Sequence, residues 1–160
     1  MNIIMYRDIP EDAIVSFRDG YQFLSNMFSC PIMVGDIELG TVEHAYVAHK
    51  VTEDMRPRVA LELQPMNPGQ AKRHGRKIPL RPDWHKVKFD IMLELLRQKF
   101  VATSSFGDAL LKTGDRMIIE GNTWGDKTWG MTDYNSIGFS GHNKLGELLM
   151  QRRNELKEIV

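Results

Sequence analysis

Apolar positions along the chain recur with two different periods, and the period assigns the elements. Val42, Ala45, Tyr46 and His49 fall at i, i+3, i+4 and i+7, the spacing of one buried stripe on a helix. Thr41 is a good N-cap for it, because its hydroxyl can accept a free N–H of the first turn, and Gly40 ends whatever precedes. Glu43, Val47 and Lys50 share the neighbouring stripe, which places Glu43 at the border of a core or pocket. A second helix is predicted within Thr52 to Leu63, ending before Pro65. A short third helix opens on Asn67-Pro68, a cap followed by a first-turn proline, and runs to about His74. The longest internal helix spans Trp84 to about Phe100, with Asp83 as its cap and Val87, Ile91, Met92, Leu95 and Leu96 on its inner face. Trp84 stands at the helix entrance, where an indole can leave the core and face a cleft. Ser105 to Lys112, stopped by Thr113-Gly114, is a further helix. The last begins near Asn143, with Leu145, Leu148, Leu149, Leu156 and Ile159 inward and Arg152 and Arg153 on a solvated face.

Extended structure is scarcer. Ile32-Met33-Val34 and Ile37-Glu38-Leu39 around Gly35-Asp36 predict a hairpin. Weaker signals fall at Ala13 to Phe17 and Met117 to Glu120. Gly121 to Gly141 reads as a loop of some twenty residues with five glycines and two tryptophans. In the aromatic run Gly20 to Phe28, the small polar Ser25 and Asn26 are expected to bond local backbone in a turn. The expected fold is mainly α with a small β component, an α+β multihelical arrangement in a single domain spanning 1–160.

Composition narrows the partners. A chain of 160 residues with 42% hydrophobic content can build one sizeable core. Lys and Arg total 21 against 21 Asp and Glu, so an anionic partner must be held by a local patch. The one such patch is Lys72, Arg73, Arg76, Lys77 and Arg81, with no acid among them. A single cysteine, Cys30, cannot form an intrachain disulfide and reads as a small buried hydrophobe. Arg7, Asp8, Glu11 and Asp12 break the early apolar run and no stretch is long enough to span a bilayer, so a soluble cytoplasmic protein is expected.

Several standard chemistries find no residues. There is no phosphate-binding G-x-x-x-x-G-K-[ST] loop, no G-x-G-x-x-G and no H-E-x-x-H. Neither a metal nor a cofactor is expected. What remains is carboxylates, tryptophans, Asn and the basic run, a set that suits a nucleotide-like ligand: indoles stack on a base, Arg or Lys holds phosphate, and carboxylates address ribose or the glycosidic carbon. Glu43, with Asp126 and Trp129 of Trp124-Gly125-Asp126-Lys127-Thr128-Trp129-Gly130, leads that set. Each has a plainer explanation when taken singly. A first-turn Glu complements the helix dipole, a basic run is a solvated surface, and a Trp in a Gly-rich loop plugs a satellite core.

The order and spacing of the pieces add to this. Phe23-Leu24-Ser25-Asn26, Thr41 to Tyr46 with Lys50, Ala71-Lys72-Arg73-His74-Gly75-Arg76, Asp83-Trp84, Met92 with Lys99-Phe100, Leu111 to Gly114, Ile119-Glu120, Asp126 to Gly130, and Gly141 to Gly146 followed by Leu148-Leu149-Met150 and Arg152 together resemble the NADAR (YbiA-like) family of ribosyl N-glycosidases. The likeness runs from about residue 17 to residue 153. It implies hydrolysis of the bond between ribose and a base or amine, in phosphoribosylated intermediates of riboflavin synthesis or in ADP-ribose attached to guanine. By motif, Glu43, Trp84, Asp126 and Trp129 match the family's active-site positions.

On that basis Glu43 is expected to stabilise the anomeric carbon and deprotonate water, and Asp126 to orient ribose or share the acid-base work. Trp84 and Trp129 would stack on the base, and Arg76 with Lys72 or Lys77 would hold a 5′-phosphate. Lys50 belongs to the same motif set, and Asn26 and Asn143 would donate to sugar or phosphate. The partner is a ribosylated nucleotide or ADP-ribose conjugate, alone or carried on nucleic acid; no oligomeric state is implied. Met131-Thr132 stands where many relatives have an acid, and the segment to Gly141 is longer, both beside the presumed pocket. The competing reading is a non-catalytic ADP-ribose or nucleotide reader, for which a carboxylate at the anomeric carbon has no use.

Overall fold

The main departures from the hydrophobic pattern concern strands, gained at Ile3–Met5 and within 121–141 and lost around Ile14. A computed structural model describes residues 2–159. In chain order its elements are β1 (Ile3–Met5), β2 (Ile32–Val34), β3 (Ile37–Leu39), α1 (Val42–Ala48), α2 (Arg56–Leu63), α3 (Pro68–His74), α4 (Trp84–Lys99), α5 (Ser105–Leu111), β4 (Gly121–Asn122), β5 (Met131–Tyr134), β6 (Gly138–Gly141) and α6 (Lys144–Ile159). The chain divides into two units, one of everything up to Leu24 together with everything from Ala102, the other Ser25–Val101. The architecture is α+β, as expected, with six α-helices and two small sheets among the described residues. No helix among the described residues is long and apolar enough to cross a membrane.

In the first unit the stretch 121–141, expected as loop, carries three strands of a sheet ordered β1-β6-β5-β4. The signal was hidden because β6 is half glycine and its other partner lies far away in sequence. Ile3 pairs with Ser140 and Met5 with Gly138. Glycine weakens strand propensity, yet here it is required: a Cβ on Gly138 would lie 2.3 Å from the Ile4 carbonyl oxygen, and Gly141 has φ 145°. Asn135 and Ser136, both left-handed at φ 51° and 60°, turn the chain between β5 and β6. Conversely, the strand expected at Ala13 to Phe17 shrinks to one parallel bridge between Ile14 and Ile118.

Helix α5 is capped by Ser104, whose hydroxyl accepts Gly107 N–H at 3.0 Å, and ends before left-handed Gly114. On α6, Leu145, Leu149 and Leu156 are buried as expected, whereas Ile159 is exposed and Arg152 and Arg153 are buried. Arg153 is not on a solvated face because Nη1 donates to Thr113 Oγ1 at 2.9 Å and to the Arg116 carbonyl at 2.8 Å. Those acceptors compensate much of the cost of taking a cation out of water.

The second unit begins with the predicted hairpin, in which Val34 faces Ile37 across Gly35-Asp36 and Gly35 has φ 58°. The Gln98 side chain pairs with both the N–H and the carbonyl of Met33, at 3.0 and 3.1 Å, and so occupies the outer edge of β2. Helix α1 packs against α2, α3, α4 and β2. It is buried on more than one stripe: His44, Val47 and Ala48 join Val42, Ala45 and Tyr46, while His49 is only half-buried. Helix α3 opens with a reciprocal cap, Asn67 Oδ1 accepting Gln70 N–H and Gln70 Oε1 accepting Asn67 N–H, each at 2.9 Å. Asp83 does not cap α4 with its side chain, because both its oxygens accept the Arg81 guanidinium, at 2.6 and 3.0 Å.

Lys99, at the end of α4, is 2% exposed. Its ammonium donates to the Ser25 carbonyl at 2.8 Å, with the Phe100 and Phe28 ring centroids 5.2 and 5.9 Å away. Burial lowers its pKa from 10.5 to about 8, with a small opposing effect from Cys30. An amine whose pKa is lower in the folded than in the unfolded chain contributes stability that is complete above the unfolded value and is lost as pH falls through the folded one. Urea unfolding at pH 7 and pH 9.5 should therefore show the native protein gaining about 2 kcal/mol over the interval beyond what Lys99→Met gains; equal gains would refute it. Gly138→Ala should cost about 1–3 kcal/mol by the same measurement, as an added methyl meets backbone that cannot rotate away.

Candidate active site

In the second unit the Thr41 hydroxyl does two jobs. It accepts the His44 backbone N–H at 3.2 Å, and it lies 2.7 Å from His44 Nδ1, while His44 Nε2 is 2.7 Å from the Met66 carbonyl. A carbonyl only accepts, so Nε2 carries the proton and Nδ1 accepts from Thr41. His44 is thereby a buried strut. One further first-turn amide, Glu43 N–H, donates to the Asn26 carbonyl at 3.0 Å. The helix start is fixed from two directions, and Glu43 is the one residue of its seven that is not buried.

Around Lys50 the unit gathers further charges. Lys50, seven residues after Glu43 and half-buried, donates to the Gly75 carbonyl at 3.3 Å and lies 5.5 Å from the Tyr46 ring centroid. Burial is the main cause that lowers its pKa; Glu43 opposes the shift, and Arg76, Lys72 and Lys88 add to it. Lys50, Lys72 and Arg76 are thus brought into one electrostatic neighbourhood with Glu43 as its acid. Gly75 permits the approach, since a Cβ there would stand 2.8 Å from the Val47 side chain. Lys88 was missed by the sequence reading. It lies four residues after Trp84, and that helical spacing could have found it.

Other assignments change. Arg73 and Lys77 are four apart and line a separate cleft of about 470 Å³ with His74, Glu62 and Met66, so Lys77 parts company with Lys72 and Arg76. Arg81, counted in the basic run, is matched by Asp83. Trp84 is 4% exposed and packs against Tyr46 with centroids 5.0 Å apart, so its indole is in the core rather than turned out to a cleft. Asn26 donates weakly to Met92 Sδ at 3.6 Å, while its Oδ1 is sealed from solvent with no donor.

In the first unit Asp126 Oδ1 accepts the N–H groups of Thr128 and Trp129 at 3.0 and 2.9 Å, shaping its own loop and leaving Oδ2 outside these bonds. Trp129 is half-buried. The following backbone supports α6: the carbonyls of Thr128 and Trp129 accept the N–H groups of Lys144 and Leu145 at 3.1 and 2.9 Å. Asn143, expected to reach substrate, is instead a latch. Its Oδ1 accepts Glu120 N–H and its Nδ2 donates to the Ile118 carbonyl, both at 2.9 Å, with the backbone left-handed at φ 51°. Cys30 is a buried free thiol, its pKa raised chiefly by burial. Among the described residues no group of three or more His, Cys, Asp or Glu is placed to hold a metal ion.

Comparison with known proteins meets this geometry from outside. The NADAR domain family model matches residues 15–157. The chain is 32% identical over 152 residues to N-glycosidase YbiA of Escherichia coli strain K12, covering 92% of this chain and 91% of that protein. It is 34% identical over 143 residues to N-glycosidase Npun_R5314 of Nostoc punctiforme, covering 88% of each. It is 32% identical over 157 residues to Riboflavin biosynthesis protein VVA0006 of Vibrio vulnificus, of which it covers 40%. The NMR structure of the E. coli protein YbiA superposes with a TM-score of 0.73 at 32% identity, covering 94% of this chain and 89% of that one. The chain belongs to the NADAR family, and its enzymatic class is that of a hydrolase acting on N-glycosyl bonds.

Proposed function

We propose that the enzyme hydrolyses the bond between ribose C1′ and a base or amine in a phosphate-bearing ribosyl substrate, of the kind represented by ADP-ribosylated guanine or the ribotide intermediates of riboflavin synthesis. The observation that carries this reading is the setting of Lys50 and Glu43: a half-buried carboxylate on an otherwise buried helix, and a half-buried ammonium whose charge feels Glu43 together with Arg76, Lys72 and Lys88. Cations in that number suit a phosphate, and a single acid among them suits the positive charge that develops at C1′.

As the C1′–N bond breaks, its electron pair leaves with the nitrogen and the sugar becomes oxocarbenium-like. The Glu43 carboxylate stabilises that charge and takes a proton from the water whose oxygen bonds to C1′, while the departing nitrogen takes up a proton. Asp126 and Trp129 are assigned to the same reaction by motif, Asp126 to ribose hydroxyls through Oδ2 and Trp129 to the face of the base. Trp84, packed on Tyr46, backs the wall beside Lys50 in this scheme.

Glu43→Gln should retain substrate binding and lose roughly two to four decades of kcat, measured by chromatography of released base from both substrates above. Unchanged turnover would remove Glu43 from the mechanism; tight binding by the native protein without any cleavage would favour the reader over the hydrolase. Arg76→Ala should raise KM for a phosphorylated substrate by about tenfold or more while altering its dephosphorylated counterpart little. Equal effects on the two would mean that Arg76 is only solvated surface.

A further inference from the structure

The cleft that Arg73 and Lys77 share with Glu62 has no part in the proposed reaction. It lies between the end of α2 and α3, wholly inside the second unit, and its volume of about 470 Å³ is that of a small-molecule site. Its polar lining is one-sided. Gln70 spends Oε1 on the Asn67 N–H in the cap of α3, at 2.9 Å, so its NH2 group is left to donate elsewhere. The Arg73 guanidinium lies back along α3 beside Gly69, where a Cβ would stand 3.5 Å from Nη1. Lys77 follows in the turn after the helix. Among the described residues neither cation has a carboxylate partner. The Met66 carbonyl is already taken by His44. Glu62 is the one acid of the lining, and Arg58 Nε, from outside the cleft, stands 3.4 Å from its Oε1. Two like charges four residues apart repel. The carbonyl end of α3 offsets part of that repulsion, and an anion seated between the two side chains would offset the rest.

We propose that this cleft is a second anion site, which takes a phosphate group between Arg73 and Lys77 with the Gln70 amide as a third donor. With the Glu62 charge countered by Arg58, the surplus of two cations matches a phosphate dianion. A phosphate is favoured over a carboxylate because its tetrahedral oxygens can meet three donors arriving from different directions, and the guanidinium fork spans two of them. The same chemistry comes from two sources, a free or monoester phosphate and the phosphodiester of a nucleic-acid backbone. The site stands apart from the Glu43 reaction, so neither depends on the other.

Heteronuclear NMR titration of the full chain with inorganic phosphate and with a single-stranded trinucleotide, each against sodium chloride at equal ionic strength, tests this. The side-chain NH2 signals of Gln70 should shift saturably with at least one probe, and the probe that responds identifies the source. Arg73→Gln combined with Lys77→Gln should weaken that response about tenfold or more, whereas Arg73→Lys should keep part of it. Glu62→Gln should tighten it several-fold, because the one carboxylate of the lining is gone. All three positions are exposed, so these changes remove charge without opening the core. Shifts confined to Glu43 and Lys50 would support phosphate at the reaction centre and overturn the second site. Gln70 shifts that sodium chloride reproduces, that survive the double substitution, or that weaken in Glu62→Gln also overturn it. Because the readout is local binding, loss of the hydrolysis reading leaves this result standing, and the reverse holds as well.

Discussion

The burial of α1 is the constraint on which the rest of the second unit depends. A helix of seven residues is far too short to persist in water by itself, so its geometry is imposed by what surrounds it. Six of the seven are buried, against α2, α3, α4 and β2. A side chain on such an element inherits the rigidity of the whole packing, and Glu43 is the one left at the rim. The same packing removes water from Lys50, and that desolvation makes its charge depend on Glu43 and the cations near it.

Helix ends explain why the family's motif residues resist being sorted into structural and chemical sets. Each first-turn amide needs an acceptor, and the acceptors here are drawn from the segments that bear candidate site residues. Asn26 offers its carbonyl to Glu43 and keeps its side-chain oxygen unsatisfied. Asp126 spends one oxygen on its own loop, and the backbone that follows it caps α6. Asn143 spends both ends of its amide on Ile118 and Glu120. A motif residue can thus be needed to place a neighbour without touching substrate.

The basic run shows how a one-dimensional signal divides in space. Five cations in sequence look like one patch, but α3 and the turn after it send Lys72 and Arg76 toward Lys50 and Arg73 and Lys77 into another cleft, while Arg81 is claimed by Asp83. The spacing of four that relates each pair was visible in the sequence. Which pair acts on Lys50 was not, because the placement of α3 against α1 depends on close packing at Gly75.

Local pattern alone was enough for whatever is stabilised by neighbours in sequence. The hairpin around Gly35-Asp36, the Thr41 and Asn67 caps, and the inner faces of α4 and most of α6 were legible because turn chemistry and helical period act within a few residues. The family likeness added the reaction class. Everything that depends on distant partners was settled only by the folded chain. The β5–β6 hairpin is concealed by glycines whose use becomes plain only when the Ile4 carbonyl arrives from the other end of the chain. Arg153 reads as solvated charge until the Arg116 carbonyl from another segment meets it, and the burial of Lys99 follows from the Ser25 carbonyl, 74 residues away in sequence. Burial is a property of the assembled packing, and no residue's neighbours in sequence report it.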